Sequence, residues 1–374
     1  MGAVLESYTR LPVDAEVVIV PTFHPRARAF SAGMLLRALA GFRHPRRRRA
    51  ISHVHLSEGG SFVREGLVIA VARRLGSPVV VSLHGASFEP FLRRRSKLVR
   101  SVLSRADVVA ALGPRGADLV RPLLPDSVRV VVLPNPAGLV GAGTSTGSQP
   151  EVALFAGEVG TRKGVDVLLD AWRSVLTRRP DARLVIAGPP GDLAPVTFPN
   201  VEWLGPVSRS EVASSLAGAR LAVLPSRAEV MPMFLLEAMA LGRPVVSTDV
   251  GEVAWLVGPG GRVVPPEDPR ALAAALVDLL ADPERAERIG QQARDRVATA
   301  FSSDVVARQL QDLYGSLRPG SAPQVTGSGP HRSHGAGMRS ARGTDPEVDP
   351  CPGARAGGTL EAAERRGLHG KGWT

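Results

Sequence analysis

Two glutamates eight residues apart, Glu229 and Glu237, stand in the stretch LAVLPSRAEVMPMFLLEAMALGRP that begins at Leu221. The apolar run ends at Pro225, a loop carries Glu229, and a helix is expected to open near Pro232, a residue favoured in a first turn. The unpaired amides of a first helical turn suit an anion. One carboxylate, an anion cradle and a second carboxylate therefore stand together, with Val230, Met231, Pro232 and Met233 forming the backbone between them. Carboxylates accept hydrogen bonds from paired hydroxyls, as the ribose-binding acid does in dinucleotide folds. The set fits a nucleotide attached to a sugar. An isolated pair of glutamates would read as a solvated loop acid and an ordinary helix residue; the strand–loop–helix context favours the binding reading.

A second constellation is FAGEVGTRKG, residues 155–164. A strand runs into a glycine-rich turn, then Arg162, Lys163 and Gly164, then a helix. Glycines admit backbone to phosphates and two cations can neutralise a departing diphosphate. A third is PVVVSLHGA, residues 78–86, where His84 and Gly85 follow a buried-type strand. The C-terminal ends of parallel strands are where open α/β sheets place functional residues. His53 and His55 alternate in ISHVHL and share a face; with no acid at matching spacing they read as packing rather than as a metal site. SEGGS (57–61) with Arg64 follows that strand and could touch an acceptor.

The elements that must position these residues alternate in type. Strand candidates lie at 16–21 (EVVIVP), 51–56, 78–83, 107–111 and 128–133, with helices at 32–41, 63–75, 89–105 and 115–124. A Gly/Ser/Thr-rich stretch at 138–150 marks a linker. The alternation then restarts: strands 152–155, 183–187, 201–204, 221–224 and 244–247; helices 166–177, 211–217, 232–241, 271–280, 283–300 and 304–317. Valine-rich strands without polar alternation suit parallel sheets covered by helices. Two such sets predict an α/β chain of two doubly wound, Rossmann-like domains facing a cleft. Expected boundaries are 1–138, a linker at 139–150, 151–318, and a tail at 319–374 without hydrophobic periodicity, read as disordered.

Composition narrows the classes. Of 374 residues 44% are hydrophobic, which excludes wholesale disorder, and 4% are aromatic, which argues against stacking platforms for single-stranded nucleic acid. The single cysteine, Cys351, excludes a disulfide framework and a Cys-based metal site; we expect no metal and no cofactor. No apolar run approaches a bilayer span and residues 1–16 do not read as a secretory signal, so the expected location is the cytoplasm, extending to the inner face of the cell membrane. Residues 1–150 hold 21 Lys and Arg against 9 Asp and Glu, whereas residues 151–318 hold 18 against 21. The basic excess of the first half implies an acidic partner. Arg43 and Arg46–Arg49 form one cluster; Arg93–Arg95, Lys97, Arg100 and Arg105 form another on helix 89–105, with Phe88, Phe91, Leu92, Leu98 and Val99 as apolar surface. A basic amphipathic helix of this kind suits an anionic membrane surface. No nucleic-acid recognition motif accompanies the charge.

Glu229-x7-Glu237 followed by Ala-Met-Ala-x-Gly-x-Pro-Val-Val resembles the nucleotide-sugar site of the group 1 (family 4) retaining glycosyltransferases of the GT-B fold. The resemblance runs from about Glu16 to Leu317. It implies that Glu229 holds hydroxyls of the transferred sugar, Glu237 the ribose, Lys163 with Gly164 the diphosphate, and that His84 contacts the sugar near the reacting centre. Gly188 in IAGPPGD is similar to a turn near the base, Asn135 in LPNP to the entry of the interdomain linker, and Asp249–Gly251 to a loop beside the nucleotide. The chain departs from the pattern at Val230 and Glu252, where glycine is usual, and at Glu158, where arginine is usual; Arg162 is the candidate replacement charge. The family's first strand and Gly-Gly loop have no counterpart, since EVVIVP reads as a later strand. The implied activity is metal-independent transfer of a sugar from a nucleoside-diphosphate donor to a glycan or polyprenyl- or lipid-linked acceptor, with retention of configuration. Its implied last helix crosses back to the first domain. Two other readings stand beside it: a GT-B sugar-nucleotide epimerase, and a catalytically impaired nucleotide-sugar-binding protein.

Overall fold

The computed structural model describes residues 8–9, 11–22, 28–42, 50–138, 145–146 and 149–318. The Arg43 and Arg46–Arg49 cluster, most of the 139–150 linker and the 319–374 tail lie outside the described residues.

The N-terminal half begins with α1 (Arg28–Gly41) and continues β1 (Ser52–Leu56), α2 (Gly60–Arg74), β2 (Val79–Leu83), α3 (Phe88–Leu103), β3 (Val108–Ala111), α4 (Pro114–Val120) and β4 (Arg129–Val132). Its sheet runs β1-β2-β3-β4, all parallel, with Ser52 opposite Val79 and Val80 opposite Val108. β2 (VVVSL) and β3 (VVAA) are buried at every position, which is why neither alternates between polar and apolar residues.

The C-terminal half comprises β5 (Val152–Ala156), a 3-10 turn (Thr161–Lys163), α5 (Val165–Arg178), β6 (Arg183–Ala187), β7 (Val201–Gly205), α6 (Arg209–Gly218), β8 (Leu221–Leu224), α7 (Met233–Ala240), β9 (Val245–Thr248), α8 (Val253–Val257), β10 (Gly261–Val264), α9 (Pro269–Ala281) and α10 (Pro283–Ala300). The sheet order is β10-β9-β8-β5-β6-β7, all parallel, so chain direction across the sheet reverses between β5 and β8. Trp172, Phe155 and Leu168 are fully buried where α5 packs on this sheet. Helix starts follow their sequence signals. Ser208 and Glu211 form a reciprocal capping box on α6, and Asp268 and Asp282 cap α9 and α10 ahead of prolines.

The last helix, α11 (Ser303–Gly315), returns to the N-terminal sheet: Val306, Ala307, Leu310 and Leu313 pack with Val80, Val108, Ala110 and Leu133. Both halves are thereby joined twice, through the linker and through α11.

Three sequence expectations are corrected and two elements are added. EVVIVP forms no strand; Val17, Val18 and Ile19 are each more than half exposed, because an apolar run becomes a strand only where a neighbouring edge pairs with it. Helix 115–124 breaks after Val120 into a 3-10 turn (Arg121–Leu123), since Pro122 removes a donor and clashes with a preceding carbonyl. Pro232 is the N-cap of α7 in an extended conformation, and Met233 is its first residue. β10 and the short α8 had no periodicity long enough to reveal them.

Candidate functional site

The reversal point between β5 and β8 is where a doubly wound sheet leaves a crevice beyond its strand ends. The loops leaving those two strands carry Lys163 and Glu229, and the fold brings them into contact. Lys163 Nζ lies 2.5 Å from Glu229 Oε1, and Ser226 Oγ donates to the same oxygen at 3.1 Å. Arg162 Nη1 is 3.9 Å from it, at the edge of the pair. Both Lys163 and Glu229 side chains are largely buried, at 16% and 10% exposure, whereas Arg162 is about half exposed. A charge-assisted contact this close fixes where the carboxylate points.

Backbone geometry permits that approach. Gly164 has φ 71°, and a Cβ there would collide with the Pro225 carbonyl oxygen. Gly188 has φ 143°, and a Cβ there would collide with the Gly157 carbonyl oxygen. Both positions require glycine to seat one strand-end loop against the next. The Lys163 side chain passes beside Gly157. Beyond β8, Ser247 Oγ donates to Leu224 O and Thr248 Oγ1 to Ser226 O, so buried hydroxyls fix the Glu229 loop from below.

Met231 O accepts from Asn135 Nδ2 at 3.2 Å, which ties that loop to the end of the N-terminal half. Among the described residues no side chain caps the first turn of α7, which begins just beyond. Val230 packs at the edge of the C-terminal core, while Met231 is buried. Glu237 lies further along α7 and pairs with Arg209 Nη2 of α6 at 2.5 Å, apart from the Lys163–Glu229 contact.

His84 is held within the N-terminal sheet. Its amide donates to Leu56 O, and its Nε2 is 2.8 Å from His55 Nδ1, one ring donating to the other. His55 stacks on both His84 and His53, and His53 bridges Tyr314 of α11 and Ser82 of β2 at 2.7 Å each. Burial pushes His84 and His53 well below the ordinary imidazole range, and pushes His55 down to about 4. These rings are therefore neutral near pH 7, and the packing reading of His53 and His55 extends to a support for His84.

Three further residues support the site; Arg227 carried no sequence signal, while Asp192 and Glu58 lie within the IAGPPGD and SEGGS stretches without being singled out there. Arg227 forms a two-pronged pair with Asp166 (2.7 and 2.8 Å), pairs with Glu267, and donates to Thr161 O. Its hydrogen bonds lower the Asp166 pKa. Asp192 accepts from Thr161 N at 2.8 Å and from Thr161 Oγ1, which sets the turn ahead of Lys163. Glu58 accepts from Ser57 Oγ and Ser87 N beside Gly85, on the His84 side. Glu158, by contrast, lies against the Gly191 turn and does not enter the Lys163–Glu229 contact. Among the described residues no three His, Cys, Asp or Glu groups converge as metal ligands would.

Two parallel Rossmann-like sheets, with loops at the strand ends facing one another and a terminal helix crossing back, define the GT-B architecture. Residues 150–282 match the family "Glycosyl transferases group 1" and residues 5–136 match "Glycosyl transferase 4-like domain". The chain belongs to the group 1 (family 4) glycosyltransferases. It is 32% identical over 197 residues to D-inositol 3-phosphate glycosyltransferase 2 of Catenulispora acidiphila, covering 45% of this chain and 46% of that one. It is 32% identical over 178 residues to the alpha-D-kanosaminyltransferase of Streptomyces kanamyceticus, covering 44% and 45%. The aligned part spans about half the length of these relatives. Among solved structures, Anabaena HepE in complex with UDP-glucose superposes with a TM-score of 0.61 at 18% identity, over 81% of this chain and 86% of that one, a likeness of fold.

Proposed function

We propose that the protein transfers a sugar from a nucleoside-diphosphate donor to a glycan or lipid-linked acceptor, with retention at the anomeric carbon and without a metal. The observation that carries this reading is the Lys163–Glu229 contact at the β5/β8 reversal. Glu229 would take hydroxyls of the donor sugar. Lys163, with Arg162 beside it, would take the charge that develops on the departing diphosphate, helped by the amides of the first turn of α7. Glu237 would take the ribose, exchanging part of its bond to Arg209 for the diol. The Gly157–Gly188 turn would lie along the base. His84, neutral and oriented by His55, would orient the sugar from the facing half without carrying a charge of its own.

A lipid-linked acceptor at an anionic surface is supported by α3. Arg94, Arg95, Lys97 and Arg100 are exposed along it. Of its apolar side chains, Phe88, Leu92 and Val99 are buried in the N-terminal core, Phe91 is half-buried and Leu98 is exposed beside the cations, so membrane contact would be mainly electrostatic. Among the described residues no helix is long and apolar enough to cross a membrane.

The test is product analysis. Purified protein is incubated with a panel of nucleoside-diphosphate sugars and candidate acceptors, with the metal chelator EDTA present. We expect a nucleoside diphosphate and a glycoside whose anomeric proton coupling matches that of the donor. An epimerised sugar nucleotide, an inverted glycoside or abolition by the chelator would refute it.

A further inference from the structure

Glu252 follows β9 in the C-terminal half, yet its carboxylate lies against α4 of the N-terminal half. Oε1 accepts from Gly116 N at 2.6 Å and Oε2 from Arg115 N at 3.3 Å. The residue is 3% exposed. Two glycines make room for it. A Cβ on Gly113 would collide with the carboxylate, and one on Gly116 would lie 3.2 Å from Oε1. A buried carboxylate is tolerated only where donors replace its water, and here the donors belong to the other half of the molecule.

The backbone of the same residue is joined to the Glu229 loop. Glu252 N donates to Val230 O at 2.8 Å, and Gly251, at φ 53°, sits directly on the Glu229 carbonyl. Asn135 grips Met231, the residue after Val230, from the end of the N-terminal half. The segment 229–231 is thus held from both sides, and Glu252 is the one of these holds that spans the cleft away from the linker.

We propose that Glu252 is a positioning residue that fastens the Glu229–Met231 loop to α4 across the cleft, setting Glu229 in register with the facing half. The chain of contacts is side chain to Arg115 and Gly116, backbone to Val230, and Val230 to Glu229. The consequence for catalysis rests on the reading of that loop as the donor-sugar contact; the fastening itself does not.

Native-state hydrogen exchange on the whole chain tests it without any ligand, reading the amides of Arg115 and Gly116 and that of Glu252. In Glu252→Ala the Arg115 and Gly116 amides should exchange about tenfold faster or more, the ratio that follows loss of a bond to a charged acceptor. The Glu252-position amide should accelerate with them, because its bond to Val230 loses its anchor. Glu252→Gln, which keeps one acceptor oxygen, should restore most of the protection at both places. Gly113→Ala displaces the carboxylate by collision while leaving residue 252 as glutamate, and should reproduce the two-site acceleration if Glu252→Ala does not fold. Acceleration confined to residues 115–116 would make Glu252 a simple cap on α4 and overturn the proposal, as would unchanged exchange at both places. Absence of nucleotide-sugar binding by the unmodified protein would overturn the donor-loop reading alone.

Discussion

Lys163 and Glu229 come from loops 66 residues apart in sequence and meet at 2.5 Å. The types and spacing that pointed to them, a cation after a glycine turn and a carboxylate ahead of a helix, were legible one loop at a time. Their contact was not, since it depends on which strand ends are neighbours. The histidine file teaches the same lesson. His84 was legible from its place after β2, whereas the support that His55 gives it required the register that sets β1 beside β2. A titration follows from that file. Unfolded imidazoles protonate near pH 6.5, whereas burial holds His55 down to about 4 and His84 and His53 well below the ordinary value. Below pH 6.5 the unfolded chain takes up protons that the folded chain refuses, so stability falls as the pH is lowered from 6.5 towards 4. Urea midpoints at pH 7 and pH 5 check this. The drop should shrink in His55→Gln, and an equal drop in both proteins would contradict it.

At the scale of elements, the alternation of strands and helices was readable because parallel strands buried on both faces are short valine runs between caps and glycines. EVVIVP has that composition and fails to pair, which shows that composition states a capacity for strand and the neighbouring edge decides it. Arg227 and Asp192 were missed, and Glu252 was seen only as a departure from the family pattern, for a related reason: each works by bridging loops that only the tertiary fold brings together. The glycines were more informative, since their necessity is local. Gly164 must hold φ 71° where α5 leaves the Lys163 turn, hard against Pro225. Gly164→Ala should therefore cost about 1–2 kcal/mol in backbone conformation alone, with further loss from the collision. The measurable result is a lowered urea midpoint at unchanged slope. An unchanged midpoint would mean that the turn is not the one described.

On the scale of the whole molecule, the two sheets are joined by the linker, by α11 returning onto β2 and β3, and by Glu252 across the cleft. The paired sheets were legible from the repeated β/α pattern, whereas the return of the last helix was expected from the family resemblance alone. The halves also differ in charge, basic before the linker and slightly acidic after it, so an acidic acceptor would be attracted to one half while the donor is held by the other. The central claim is that a nucleoside-diphosphate sugar binds at the β5/β8 reversal between Lys163, Glu229 and Glu237. Thermal unfolding with a panel of such sugars addresses it most directly. A ligand present at one hundred times its Kd stabilises by about 2.7 kcal/mol, and at least one member of the panel should raise the midpoint accordingly. Glu237→Ala should remove most of that rise while leaving the unliganded midpoint nearly unchanged. A rise that persists in full in Glu237→Ala would place the nucleotide elsewhere and contradict the account.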